Sequence, residues 1–355
     1  MSSLIFVGLG LADQDSLSLE GLECVKSADK VYLEVYTSPV SSGLKKRLKD
    51  VIGSKIDVVS REFIEDGRQM IEESRRGTVV LLSYGDPMVA TTHMDLRVRA
   101  SNEGVETRVI HNASILAAIP GETGLHAYSF GKTVTMTQSG ATPQTTVYNT
   151  VFENLLRRLH TVILLEYDYA SGFFLDPSRA LDELLETERE LKQNIFDDDT
   201  FLVVASRVGR RDQSIEGGHI SSLRQKRFGE PPHVLVIPGR FHFTETDALK
   251  ALLKVGDEEV GDNSARVFRL SEGMVKRYVK KGRSALNRAR SRCSRVERKR
   301  YTTLFENVEC YISDAERFLN QGRDELAVLS IGYAEGLLDA LRFLPVGEFG
   351  DIWEE

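Results

Sequence analysis

The sequence predicts an α/β region over residues 1–255 followed by a small all-α helical domain over residues 265–345. Three observations carry that expectation. First, short apolar runs recur at residues 4–7, 31–35, 79–83, 107–110, 133–137, 162–165, 201–205 and 233–237. Most are rich in Val, Ile and Leu and do not alternate with polar residues, which is the pattern of strands buried on both faces. Second, segments of helical character lie between several of them, at 18–28, 43–52, 64–76, 146–159 and 179–193. Strand alternating with helix argues for a mostly parallel sheet covered by helices. Third, the character changes at Gly256, Asp257, Glu258, Glu259, Gly261, Asp262 and Asn263, a polar linker beyond which no strand pattern returns.

In the helical domain, Met274, Tyr278, Ala285, Ala289 and Val296 fall near helical spacing. Leu304, Val308, Tyr311, Ala315 and Phe318 do so more cleanly, and Leu326, Ile331, Ala334, Leu338 and Leu341 form a third set. Gly322 separates the second and third helices and Pro345 ends the third, so a small antiparallel module is expected.

Composition excludes several classes. At 355 residues, with 41% apolar and 28% charged side chains, the chain is that of an ordinary globular protein able to bury a large core. Cys24, Cys293 and Cys310 are too few and too scattered for a disulfide framework, and no Cys or His spacing suits zinc. No apolar stretch approaches a membrane span, and the N-terminus lacks the basic start of a signal peptide, so a cytoplasmic protein is expected.

The first strand runs into Gly8-Leu9-Gly10-Leu11. A dinucleotide turn would place a third glycine at position 13, where Asp13 would repel a pyrophosphate. Glu34 sits where a ribose-binding acid would fall. The turn is therefore either a tight strand-to-loop connection or a close backbone approach to a cofactor other than NAD. More informative is the strand that ends in Gly85-Asp86-Pro87. Ligands of open α/β sheets bind beyond the carboxyl ends of strands. Gly85 permits close approach, Pro87 fixes the turn at the head of an expected helix, and Asp86 is either a carboxylate at the crevice or a helix cap. His111-Asn112-Ala113-Ser114-Ile115 repeats small polar residues at a second strand end, with Ser114 either a cap or a crevice residue. His233 opens a third run, where a lone histidine is usually structural.

Taken in order, these segments resemble the diphthine synthase family, methyltransferases of the tetrapyrrole-methylase fold class. The matching residues are 7–11, Glu34-Val35-Tyr36-Thr37-Ser38, Gly85 to His93, His111 to Ile115, Phe130-Gly131-Lys132 and Pro231-Pro232-His233. The resemblance implies a two-lobed α/β fold, with lobes over 1–140 and 141–255, and a homodimer. It implies S-adenosylmethionine as methyl donor, leaving as S-adenosylhomocysteine, with no metal and no assigned catalytic base. It implies elongation factor 2 as protein substrate, methylated on the amino group of a modified histidine during diphthamide formation. Carried onto this chain, the cofactor contacts are Leu11, Asp86, Val89, Ser114, Ile115, Leu165, Val208 and His233. Leu165 and Val208 rest on strand position alone. Two segments depart from the family pattern, Thr137 to Thr146 and Leu165-Glu166-Tyr167, and both fall near the expected substrate cleft. A tetrapyrrole or other small-molecule methyltransferase, and a non-catalytic binding protein serving the helical domain, are the competing readings.

From Lys276 to Arg300 the chain carries twelve Lys or Arg and one acid, Glu297, a local charge of +11 in a protein of net charge −7. Such a stretch is either a solvated or internally packed face or a contact for RNA or the ribosome. The module resembles a small helical family of unknown role known from archaeal proteins, through Tyr311 to Ala315 and Tyr333 to Leu338, and an archaeal source is expected.

Overall fold

A computed structural model describes residues 2–39, 43–52, 56–138, 144–169, 171–256, 259–293, 299–341 and 352–353, the side chains of 13, 14, 44, 45, 51 and 52 excepted. The chain forms two compact units, Met1–Val267 and Phe268–Glu355.

The first unit holds two five-stranded sheets. One contains β1 (Ser3–Gly8), β2 (Lys30–Glu34), β3 (Ile56–Val59), β4 (Thr78–Ser83) and β5 (Glu106–Ile110), in the order β3-β2-β4-β1-β5 and parallel throughout. Its inner strands β1, β2 and β4 are buried on both faces. Leu4, Phe6, Val79 and Leu81 enter one core, while Ile5, Val7, Val80 and Leu82 enter the other. Each fully buried side chain of this kind contributes roughly 1.5–3 kcal/mol. Helices such as Leu19–Ser27 and His93–Asn102 close the layers.

The second sheet contains β6 (Val134–Met136), β7 (Thr161–Leu165), β10 (Phe201–Ser206), β11 (Ser214–His219) and β12 (His233–Ile237), in the order β11-β10-β12-β7-β6. A two-stranded ribbon, β8 (Tyr167–Asp168) with β9 (Phe173–Phe174), lies between β7 and β10 in sequence. Only β6 and β7 pair in parallel; the pairs β7–β12, β12–β10 and β10–β11 are antiparallel. The expectation of a mostly parallel sheet therefore holds for the first sheet and not for the second. Apolar runs report burial on two faces, not direction. The link from β10 to β11 is also far too short for the crossover that a parallel pair requires.

Three local readings change. The segment 64–76 is two helices, Arg61–Asp66 and Arg68–Ser74, broken where Gly67 takes φ +61. β6 pairs with β7, so the second sheet begins ahead of the 140/141 boundary. The first unit also runs past 255: buried Asn263 donates from Nδ2 to the carbonyls of Phe201 (2.8 Å) and Pro238 (2.9 Å), tying the linker to β10 and β12.

The second unit contains helices Leu270–Arg292, Thr302–Asn320 and Asp324–Ala340. The first buries Val275, Val279, Gly282, Ala285, Leu286 and Ala289, so the predicted Ala285 and Ala289 are buried as expected while Met274 and Tyr278 stand one residue out of register. Val308 and Ala315 in the second, and Ile331, Ala334 and Leu338 in the third, are buried as expected. Val296 and Pro345 lie outside the described residues.

Gly8 has no room for a side chain at the end of β1. A Cβ there would stand 2.5 Å from the Gly85 carbonyl oxygen and 2.8 Å from Asn112 Cβ. Gly8→Ala is expected to lower stability by about 1–3 kcal/mol, because backbone has to move. Gly121→Ala, in a helix with nothing within 4 Å, is expected to raise it by roughly 0.5–1 kcal/mol. Urea denaturation of the two variants checks both signs.

Candidate functional site

The parallel strands of the first sheet end together, and the loops that leave them form one wall of a cavity of about 310 Å³. β1 and β4 are joined past their ends: Gly10 N–H donates to the Gly85 carbonyl at 3.1 Å and Gly85 N–H to that of Gly10 at 2.9 Å. Both glycines have positive φ, +73 and +70, which an L side chain would resist. The Gly-x-Gly turn thus serves strand-end packing. Glu34 is wholly buried and does not line the cavity; its Oε2 accepts from Tyr36 N and Thr37 N, both at 3.0 Å. It shapes the 34–38 turn in place of the ribose contact its position suggested.

Asp86 holds the next loop. It is 7% exposed, and its Oδ1 accepts from Met88 N at 2.9 Å. Its Oδ2 lies 2.8 Å from His111 Nδ1 and accepts from Asn112 N at 3.2 Å. One carboxylate therefore fastens the end of β4 to the end of β5. The helix expected at Pro87 begins only at His93, because residues 87–92 are turns shaped by this Asx contact. Within them Ala90 adopts φ +55, a left-handed conformation uncommon outside glycine and found against ligand sites. Asn112 adds a second clasp, donating from Nδ2 to the carbonyls of Gly8 and Ser16, each at 2.9 Å.

Ser114 caps the helix Ile115–Thr123, its hydroxyl accepting from Ala117 N at 3.4 Å, and it also lines the cavity. Both readings of Ser114 hold at once, and the positive end of that helix opens on the cavity.

The opposite wall comes from the second sheet: Leu164 and Leu165 at the end of β7, Ala205 and Val208 around the end of β10, and His233 at the start of β12. The antiparallel register sets His233 beside Ser206. His233 is 3% exposed, with Nδ1 2.8 Å from Ser206 Oγ and Nε2 3.2 Å from the Gly229 carbonyl. That carbonyl can only accept, so Nε2 carries the hydrogen and Nδ1 accepts from the serine. Burial pushes the imidazole down to about 4. Leu11 joins the walls, since Gly209 at φ +85 has no side chain and a Cβ there would stand 2.6 Å from that of Leu11. Tyr84 donates to the Leu11 carbonyl and accepts from Arg210 Nε at 3.0 Å.

All eight residues named from the sequence, Leu11, Asp86, Val89, Ser114, Ile115, Leu165, Val208 and His233, line this one cavity. So do Thr137, Glu166 and Tyr167 from the two divergent segments, whose residues 139–143 lie outside the described residues. Missed were Tyr36, Thr37, Ser38, Arg61, Tyr84, Thr91 and Thr92. Their signal was available: most follow directly on the carboxyl end of an apolar run. Among the described residues, no cluster of three or more His, Cys, Asp or Glu side chains is arranged to hold a metal ion. No helix among them is long and apolar enough to cross a membrane.

Comparison with known proteins follows the same division. Residues 3–224 match the family Tetrapyrrole (Corrin/Porphyrin) Methylases. The diphthine synthase of Methanocaldococcus jannaschii is 41% identical over 254 residues, covering 70% of this chain and 98% of the relative. The chain belongs to the diphthine synthase family. Another member, from Methanosarcina mazei, is 38% identical over 266 residues, 73% of this chain and 99% of its own. A crystal structure of diphthine synthase superposes with a TM-score of 0.65 at 33% identity, covering 73% of this chain and 98% of that one. As a member of the diphthine synthase family the chain is an S-adenosylmethionine-dependent methyltransferase, and the reading of a non-catalytic binding protein is set aside. Residues 277–346 match a second family, Protein of unknown function (DUF357).

The buried His233 makes acid stability a test of this geometry. Its folded pKa lies below that of an unfolded histidine, so the unfolded chain binds more protons between about pH 6.5 and 4. Stability is expected to fall as pH drops through that window, by on the order of 2–3 kcal/mol from this group. Urea titrations at pH 7.0, 5.5 and 4.5 are expected to show a shallower fall for His233→Gln than for the parent.

Proposed function

We propose that the cavity holds S-adenosylmethionine against Leu11, Asp86, Val89, Ser114, Ile115, Leu165, Val208 and His233, and that the enzyme methylates the amino group of the modified histidine of elongation factor 2. The observation that carries this reading is the convergence of all eight residues, drawn from both sheets, on one cavity. Its volume, about 310 Å³, falls at the lower end of the roughly 300–1,000 Å³ usual for such sites.

The residues fit the donor. The N-terminus of helix Ile115–Thr123 suits a carboxylate, and Leu11, Val89, Ile115, Leu165 and Val208 supply apolar walls. Asp86 accepts from Met88 N and Asn112 N and pairs with His111 Nδ1, so it fixes the 85–92 and 111–115 loops while its carboxylate also lines the cavity. When bound, S-adenosylmethionine supplies an electrophilic methyl group. The chain's task is to align an unprotonated amine with that methyl and to exclude water, and positioning supplies most of the effect. Burial favours the neutral amine.

Labelled methyl transfer is expected to elongation factor 2 carrying the modified histidine and not to the unmodified factor; equal transfer to a tetrapyrrole would replace this reading by the small-molecule one. Calorimetry with S-adenosylhomocysteine is expected to show one site per subunit, on a particle that light scattering reads as a dimer. Asp86→Ala is expected to abolish that binding, and an unchanged affinity would remove Asp86 from the site.

For the second unit we propose contact with RNA, as on the ribosome, through the first helix. Arg290 is engaged by Glu309 at 2.6 Å, Lys276 by Glu272 at 2.6 Å and Arg283 by Glu316. Arg277, Lys280 and Lys281 are exposed. Residues 294–298 of the basic stretch lie outside the described residues. Filter binding to RNA is expected to weaken steeply with salt, with the log–log slope reduced by about 1 for each of Arg277→Gln and Lys280→Gln. Binding indifferent to salt would exclude a phosphate contact.

A further inference from the structure

Away from the cavity, the first unit carries a second cluster of rings. Tyr128, His126, His242 and Phe243 stand in a row in that order, with centroids 5.1, 5.3 and 4.3 Å apart. None of them lines the cavity. Tyr128 is 82% exposed and Phe243 70%. Single apolar side chains at a surface are ordinary, but a contiguous row of rings with both ends bare marks a contact face.

The row is held from below by one carboxylate. Glu245 is fully buried and accepts from His126 N and His242 N, each at 2.7 Å. His160 Nδ1 accepts from Gly239 N at 3.0 Å, so its Nε2 carries the hydrogen and donates to Glu245 at 3.1 Å. Hydrogen bonds along the row then run one way. His242 Nδ1 accepts from Thr244 N in capping the helix Phe243–Leu253, so the Thr244 hydroxyl, 2.7 Å away, donates to it. That hydroxyl has one hydrogen, so His126 Nε2 donates to the Thr244 oxygen at 3.1 Å, and His126 Nδ1 accepts from Tyr128 Oη at 2.9 Å. The rings are thus preorganised, and toward solvent the Tyr128 oxygen only accepts.

The surroundings of the row are positive. Gly131 N donates to the His160 carbonyl and Arg240 N to that of Arg158, so segments 126–132, 157–160 and 239–244 lie together. They contain Lys132, Arg157, Arg158 and Arg240 and no Asp or Glu. All four cations are exposed, and among the described residues none makes an ion pair.

We propose that this face binds single-stranded RNA, with unpaired bases stacking on Tyr128 and Phe243 and phosphates meeting Lys132, Arg157, Arg158 and Arg240. Bare rings accept the face of any base, and the cations require a polyanion. A duplex keeps its bases stacked inward and cannot use the rings. A ribose 2′-hydroxyl can donate to the Tyr128 oxygen, which deoxyribose cannot. The face belongs to the first unit, apart from the basic helix of the second, and it does not rest on the methyltransferase reading.

The test measures fluorescence anisotropy of a labelled mixed-sequence RNA of about 12 nucleotides, alone and annealed to its complement. The reference protein is the full chain carrying Arg277→Gln and Lys280→Gln, which weakens contact through the second unit. It is expected to bind the single strand more tightly than the duplex, and more tightly than DNA of the same sequence. Added Tyr128→Ala or Phe243→Ala is expected to weaken single-strand binding about five- to a hundredfold, while Phe243→Tyr, which keeps a ring, stays within about twofold. Arg157→Gln and Arg240→Gln are each expected to lower the log–log salt slope by about 0.7. Both rings are exposed, so unchanged thermal melting is expected of the two alanine variants. Unchanged RNA affinity in both overturns the proposal, as does equal or tighter binding of the duplex or the DNA. Dissociation of a dimer by both variants in light scattering, with RNA affinity unchanged, overturns it by giving the face to a second copy of the chain.

Discussion

The cavity depends on one buried carboxylate. Asp86 gathers Met88 N, His111 Nδ1 and Asn112 N, and so binds the exits of two strands that share no hydrogen bond with each other, since β1 lies between them. A parallel sheet fixes where its strands end but not where the chain goes next. That second decision is made here by Asp86, by the paired Gly10 and Gly85, and by Asn112 reaching back to Gly8 and Ser16. The left-handed Ala90 is held in the same stretch. The wall nearest the proposed donor is thus preorganised by contacts within the chain, which is what alignment of a methyl group with a nucleophile demands.

The two sheets contribute differently. The first offers loops at the carboxyl ends of parallel strands, rich in hydroxyls and backbone N–H groups. The second offers Leu165, Val208 and His233 from antiparallel strands, where an imidazole held neutral by burial hydrogen-bonds to Ser206. Their junction is made by absence: Gly209 has no side chain, and Leu11 occupies the room. A loop wall rich in hydroxyls facing the apolar Leu164, Leu165, Ala205 and Val208 suits a donor with a charged end and a chemistry that water would spoil.

Much of this was legible in the residues. The Val, Ile and Leu runs marked the buried strands because burial on both faces selects composition whatever the strand's direction. Direction itself was invisible, which is why the second sheet read as parallel. β11, Ser214–His219, carries two glycines and a glutamate at a sheet edge and left no apolar run to notice. Gly67 could have warned of the break between two helices, since its φ of +61 is a glycine's privilege, but the flanking residues are good helix formers. Glu34 was misplaced because its position along the chain was right while its side chain turned inward to the 36–37 amides. Tyr36 sat in a matching motif without a role, because its hydrogen-bond partner His93 lies fifty-seven residues away.

The strand order has a consequence for synthesis on the ribosome. The first sheet is complete once residue 110 has emerged, for all its strands precede that point. The second is not: β12 is the last strand made, yet it lies in the middle, between β10 and β7. Until residue 237 leaves the exit tunnel, β7 and β10 each present an open edge, and open edges pair with strangers. The nascent chain therefore passes through a stage in which a finished first lobe carries an unfinished second one, and the cavity between them closes only when the strand bearing His233 slides into its gap.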